Sequence, residues 1–147
     1  MKLNPVVAGL VAALAVAACG GSDASGPPVD PAIAAAGTYN MVTYNGANLP
    51  ALVYSNQAGT LEITGGTEVL RADHSYDETW ASRTSYNQGY DCGCVTNSTD
   101  AVESGTFDLV GTTLTFHPDN GTPAYTGAVS NGVLTYTVDV YSLKYAK

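Results

Sequence analysis

From Gly37 onward, apolar side chains recur at every second position rather than every third or fourth. That is the period of a strand with one buried face. The alternating runs are short, and turn residues separate them. Gly37–Tyr44 is the first, closed by Asn45-Gly46 with Leu49-Pro50 behind it. Thr60–Thr64 follows with Leu61 and Ile63 on one face, and Gly65-Gly66 is expected to turn the chain. Thr67–Ala72 leads through Asp73-His74 into a long strand from Ser75 to about Tyr86. His74 falls where a hairpin needs positive φ, a region that His, Asn and Asp enter more readily than other non-glycine residues. Asn87–Ser104 reads as a wide loop. Gly105–Val110 resumes the alternation with Phe107 and Leu109 on one face, and Thr112–His117 places Leu114 and Phe116 inward. Asp119-Asn120-Gly121 makes the next turn.

The clearest hairpin comes last. Asn131-Gly132 is a type I′ signal between Tyr125–Ser130 and Val133–Val140. In the second of these runs Leu134, Tyr136, Val138 and Val140 alternate with Thr135, Thr137 and Asp139. Tyr141–Ala146 is expected as a final strand with Leu143 and Tyr145 inward. Consecutive short strands, tight turns and no long crossover predict an all-β fold: an antiparallel up-and-down meander of about eight strands closing into a barrel. A two-sheet β-sandwich is the alternative. Inward positions read from the alternation are Met41, Leu61, Ile63, Leu70, Trp80, Phe107, Leu114, Phe116, Leu134, Tyr136 and Val138. An eight-stranded interior is just wide enough to be filled by side chains or to hold one small ligand. So many large residues predict at most a shallow pocket at one mouth, walled by the Asn87–Ser104 loop. Tyr86, Tyr90 and Trp80, the only tryptophan, are its expected rim.

The N-terminus follows a different pattern. Leu3–Ala18 is almost wholly apolar behind Lys2, which is the layout of a secretory signal. It is too short to span a bilayer comfortably, for which about 20 residues are needed. Val16-Ala17-Ala18-Cys19 resembles the bacterial lipobox. The resemblance implies cleavage before Cys19 and lipidation of that residue on sulfur and amine. Each buried methylene contributes about 0.8 kcal/mol, so several chains hold where one would not. Gly20, standing where an aspartate would otherwise direct sorting, implies an outer-membrane lipoprotein of the cell envelope, on its periplasmic or surface face. Residues 20–36, rich in Gly, Ser, Pro and Ala, read as a flexible linker stiffened by prolines. The expected organisation is therefore a signal peptide (1–18), a lipidated cysteine and linker (19–36), and one β-barrel domain (37–147).

Charge narrows the partners. Loss of Lys2 with the leader leaves four basic against thirteen acidic residues, a net charge of −9. Such a chain is repelled by nucleic acid and by anionic head groups, so its membrane link must be the lipid. A monomer is expected.

Short signatures within the domain add a second resemblance. Gly37-Thr38-Tyr39, Tyr44-Asn45-Gly46 with Leu49-Pro50, Leu70-Arg71-Ala72-Asp73, Gly105-Thr106-Phe107 and Thr113-Leu114-Thr115-Phe116 resemble bacterial lipocalin-like lipoprotein domains. The likeness covers most of residues 37–147, with Tyr39 standing where the lipocalin opening motif carries Trp. It implies a non-enzymatic barrel that binds a small apolar ligand or an envelope partner. It carries over no catalytic or binding residue.

Cys92-Gly93-Cys94 is the one constellation that suggests chemistry. With Cys19 lipidated, these are the remaining thiols, in a compartment where thiols pair, and Gly93 permits the bend a disulfide needs. A staple of the loop is the leading reading. A strained redox-active pair and a metal site completed by His74 or His117 are the alternatives. The chain has no Gly-x-Ser-x-Gly elbow, His-Glu-x-x-His motif or phosphate-cradling glycine loop, so no catalytic residue, metal or cofactor is expected. Asp73, Asp77, Glu78 and Asp91 read as solvated strand faces and loop tips, with a weak cation site as the alternative. The rival to a ligand-binding barrel is a structural or protein-interaction module with a filled core.

Overall fold

A computed structural model describes residues 29–87, 89 and 93–147. The leader, Cys19, most of the linker, Tyr90, Asp91 and Cys92 lie outside the described residues. The elements in chain order are α1 (Pro31–Ala35), β1 (Gly37–Tyr44), β2 (Ala47–Asn48), β3 (Ala51–Ser55), β4 (Gly59–Leu70), β5 (Ser75–Tyr86), β6 (Val95–Val110), β7 (Thr113–Pro118), β8 (Tyr125–Ser130), β9 (Val133–Val138) and β10 (Tyr141–Ala146). From β4 to β10 each strand pairs antiparallel with the next, β10 pairs with β1, and β1 pairs with β4. That last ladder, Gly37↔Leu70 to Asn40↔Thr67, closes a circle of eight strands. The fold is the expected up-and-down barrel, not the sandwich. β2 and β3 lie outside the circle, paired to the end of β1 and the start of β4.

The turns follow their chemistry. Asn45-Gly46 (φ 50°, 78°) and Asn131-Gly132 (φ 51°, 74°) both take the left-handed conformation a type I′ hairpin requires. His74 adopts φ 67°, as expected.

Four expectations are corrected. Gly65-Gly66 does not turn the chain. It lies inside β4, beside a register shift between Ile63 and Gly65 that bends the strand. The wide loop expected over Asn87–Ser104 is mostly strand, because β6 starts at Val95 and pairs with β5 from Ser85↔Val95 onward. Residues 95–102 are exposed along both faces, which is why alternation is missing there. β9 ends at Val138, not Val140: Asp139 turns at φ 51° and leaves Val140 78% exposed. Finally, the linker does not extend to residue 36. Asp30 caps α1 by accepting from the Ala32 N–H (2.9 Å), with Pro31 in the first turn.

A five-residue helix has no stability of its own. Tertiary contacts hold α1, because Ala32 and Ala35 are buried against the barrel. The Tyr39 hydroxyl donates to the Ala35 carbonyl (2.6 Å), and Lys147 Nζ donates to the Ala36 carbonyl (2.9 Å) while lying 4.8 Å from the centre of the Tyr39 ring. His74 adds a further tie, with Nε2 2.9 Å from Asp30 Oδ2 and Nδ1 2.9 Å from the Phe107 carbonyl. Both partners are acceptors, so the ring serves them best with both nitrogens protonated. The Asp30 carboxylate accordingly raises the His74 pKa. α1 thus closes the barrel end where β1 begins, and the opposite end is the mouth.

The core is a run of rings. Phe116 stacks on Tyr125 (4.9 Å, 22°), meets Tyr136 at 5.2 Å and takes Tyr76 edge-on at 5.0 Å, while Tyr136 stacks on Tyr145 (5.8 Å, 14°). Of the expected inward positions, Met41, Ile63, Leu70, Phe107, Leu114, Phe116, Leu134 and Tyr136 are buried. Leu61, Trp80 and Val138 are half-buried.

Candidate functional site

Two layers lie above the closed end. The lower one is polar. Register makes Glu68 on β4, Glu78 on β5 and Glu103 on β6 direct cross-strand neighbours. Glu68 is 0% and Glu78 3% exposed. Reading Glu78 as a solvated strand residue is therefore wrong. The signal was in its neighbours: it alternates with Tyr76 and Trp80 on the inward face, as Glu68 alternates with Leu70.

Buried carboxylates need donors, and tyrosines supply them. Glu78 Oε1 accepts from the hydroxyls of Tyr136 (2.6 Å) and Tyr145 and from Trp80 Nε1 (2.7 Å). Glu103 Oε1 accepts from Tyr76 (2.6 Å) and Tyr125 (2.7 Å). The Tyr136 hydroxyl also lies 3.3 Å from Glu68 Oε2, but its single proton is committed to Glu78. Burial, reinforced by the nearby Glu78 charge, pushes the Glu68 pKa well above the ordinary carboxylate value. Burial also raises Glu78, against the three hydrogen bonds that favour its charge. Burial and these carboxylates raise the pKa values of all four tyrosines, keeping them donors. Glu68 Oε1 has no partner among the described residues. The barrel interior is thus occupied by its own side chains.

The upper layer is the mouth. Trp80 is the next inward residue after Glu78 on β5, and its cross-strand neighbours are Gly66 on β4 and Asp100 on β6. A Cβ on Gly66 would stand 2.8 Å from the Met41 methyl carbon, 2.8 Å from the Thr79 carbonyl oxygen and 3.3 Å from Trp80 Cδ1, so the glycine leaves room for all three. Tyr44 from the end of β1 meets Trp80 edge-to-face at 5.6 Å (84°), and Tyr141 from the start of β10 does so at 6.1 Å (86°). These two tyrosines are 5.6 Å apart, and burial raises the Tyr44 pKa. With Val53, Leu61, Ile63 and Val102 they wall a hollow of about 250 Å³. Asp100 sits on its rim and accepts from the Ser98 hydroxyl (3.0 Å). Larger hollows, of about 410 and 550 Å³, are lined mainly by polar residues of β5–β6 and of β8–β10.

Tyr86, a second expected rim residue, is not among the residues that line the hollow around Trp80. Tyr86 lines a cleft of about 50 Å³ with Tyr54 and Gly59, and its N–H donates to the Cys94 carbonyl (2.9 Å) at the tip of the β5–β6 hairpin. Tyr90, Cys92 and Cys19 lie outside the described residues. His74 ties down α1, and His117 Nε2 lies 3.0 Å from Asp108 Oδ2. Among the described residues no three potential metal-ligating side chains are grouped to hold an ion. The sequence alone assigns no site role to Tyr44, Tyr141, Asp100, Gly66 or Glu68. Barrel closure brings Tyr44 and Tyr141 to Trp80, and no local pattern announces that meeting. No protein-family model matches the chain, and neither the curated proteins nor the solved structures contain a match to it.

Proposed function

We propose that the chain is a non-enzymatic envelope lipoprotein, anchored through lipidated Cys19, whose lipocalin-like barrel binds a small apolar ligand at its mouth. One observation supports the ligand site above all: the hollow of about 250 Å³ around Trp80 is walled by aromatic and branched side chains, while the interior beneath it is filled. A dry apolar cavity of about 150 Å³ takes a benzene-sized molecule. The mouth therefore suits a ring or a short branched group, and not a long acyl chain.

Trp80 is the sole tryptophan and reports on the site directly. Titration with toluene should change its emission saturably, whereas palmitate should not compete. Absence of any saturable response would leave the rival reading, a protein-interaction module. That reading draws on β3, an edge strand with Leu52, Val53 and Tyr54 exposed, which suits strand addition by a partner.

The anchor is tested separately. Cys19→Ala should abolish incorporation of labelled fatty acid and move the protein from the membrane fraction to the soluble one. A variant that stays with the membrane, beside a wild type that takes up no label, would refute the anchor.

A further inference from the structure

We infer that the ligand of the mouth carries a positive charge: it is a small substituted ammonium with an apolar body. This rests on the reading of the mouth as a ligand site and names the class of molecule it takes. The walls are the first reason. Trp80 stands nearly perpendicular to both Tyr44 (84°) and Tyr141 (86°), and the two tyrosines are tilted by 35° to one another, so the three rings line the hollow in more than one orientation. Aromatic faces carry negative potential and attract a cation within about 6 Å of the ring centre, indole most strongly.

The residues behind and beside the rings point the same way. Trp80 Nε1 donates to Glu78 Oε1 at 2.7 Å, which polarises the indole and enriches its face in electron density. Asp100, the cross-strand partner of Trp80, sets a carboxylate on the rim, and no residue lining the hollow is basic. The chain as a whole is at −8, so its field draws cations toward it.

The same inventory selects among cations. A primary ammonium must exchange water for acceptors at three N–H groups, whereas the two non-aromatic polar side chains of the lining, Asp100 and Ser82, are already bonded to Ser98 (3.0 and 2.8 Å), and the other non-aromatic walls, Val53, Leu61, Ile63 and Val102, are apolar. An alkylated nitrogen, above all a quaternary one, needs no acceptors and presents methyl groups to the rings. Leu61, Ile63 and Val53 then receive its apolar body.

Two probes of equal shape separate charge from size: benzyltrimethylammonium and its neutral carbon isostere, neopentylbenzene, each titrated against the chain by Trp80 emission. The cation should bind about tenfold more tightly than the isostere, and added salt should weaken the cation alone. Asp100→Asn, at an exposed position, should weaken the cation about 2–5-fold and leave the isostere unchanged. Tyr141→Leu should weaken the cation about 2–30-fold. Equal affinity for the two probes, with no effect of Asp100→Asn, would overturn the charge assignment and leave the mouth an apolar site. Failure of both probes to bind saturably would overturn the ligand site with it.

Discussion

Phe116→Ala should lower the unfolding free energy by about 3–5 kcal/mol, the usual range for deleting a fully buried ring. Phe116 is 0% exposed and makes ring contacts with Tyr76, Tyr125 and Tyr136. Its removal leaves a void that the surrounding strands cannot collapse into, because a closed barrel has no free edge to shift. The loss spreads further, since Tyr125 and Tyr136 direct their hydroxyls to Glu103 and Glu78 only while their rings are held in place. A domain of this size has about 5–15 kcal/mol in total, so the variant should be partly unfolded or close to it at room temperature. Chemical denaturation followed by Trp80 emission measures the change. A cost below about 1 kcal/mol would mean the ring cluster is not the stabilising centre described here.

The second expectation runs against the common behaviour of acidic proteins: stability should peak in mild acid and decline toward neutral pH. Glu68 and Glu78 hold their protons more tightly in the folded chain than at the ordinary value of 4.5. Above that value the folded state therefore binds more protons than the unfolded one, and the slope of stability against pH is negative. Their contribution is complete below 4.5 and is lost as pH rises through the folded pKa values. His74 acts with the same sign from its ordinary value of 6.5 upward, as the tie to Asp30 weakens. Asp30 and Asp73 oppose it only at the acid end. Hydrogen bonds from His74 and from Ser75 lower them below 3.8, and their contribution is lost as pH falls through those lowered values.

Glu68→Gln keeps the shape of the neutral acid and cannot ionise. It should match the wild type near pH 4.5, exceed it in the alkaline range, and flatten the decline. Glu78→Gln should behave differently. Three donors converge on Glu78 Oε1, and a carboxamide oxygen leaves one of them unmet, at a cost of about 1–3 kcal/mol across the pH range. Denaturation midpoints from pH 4 to 9 decide the matter. A wild-type midpoint that rises steadily with pH would sink the expectation.

The parts of this fold that the sequence discloses are those where local chemistry and tertiary demand agree. Gly37–Tyr44, Tyr125–Ser130 and Tyr141–Ala146 are strands at their expected bounds because alternation and turn residues coincide there. Agreement fails where a residue serves a neighbour. Gly66 has turn composition, yet its missing Cβ leaves the room that Met41, the Thr79 carbonyl and Trp80 occupy. Residues 95–102 pair as strand with both faces in water, so no alternation marks them. α1 is written in alanines, whose burial depends on a barrel end that does not exist until the circle closes. Glu68 and Glu78 were hidden by their own charge, which speaks for solvent until the tyrosines that satisfy it are placed around them. Of the mouth, Trp80 was legible from its alternation, whereas Tyr44, Tyr141 and Asp100 reach it only through pairing distant in sequence.

The helical cap on one end of the barrel gives the domain a direction. Val29 and Asp30 enter at that cap and Lys147 finishes beside Ala36, so both ends of the described domain depart from the pole opposite Trp80. Attachment through the N-terminus to a bead, a sensor chip or a display scaffold accordingly leaves the mouth turned outward. A cargo fused there would hang behind the ligand's route of approach rather than across it.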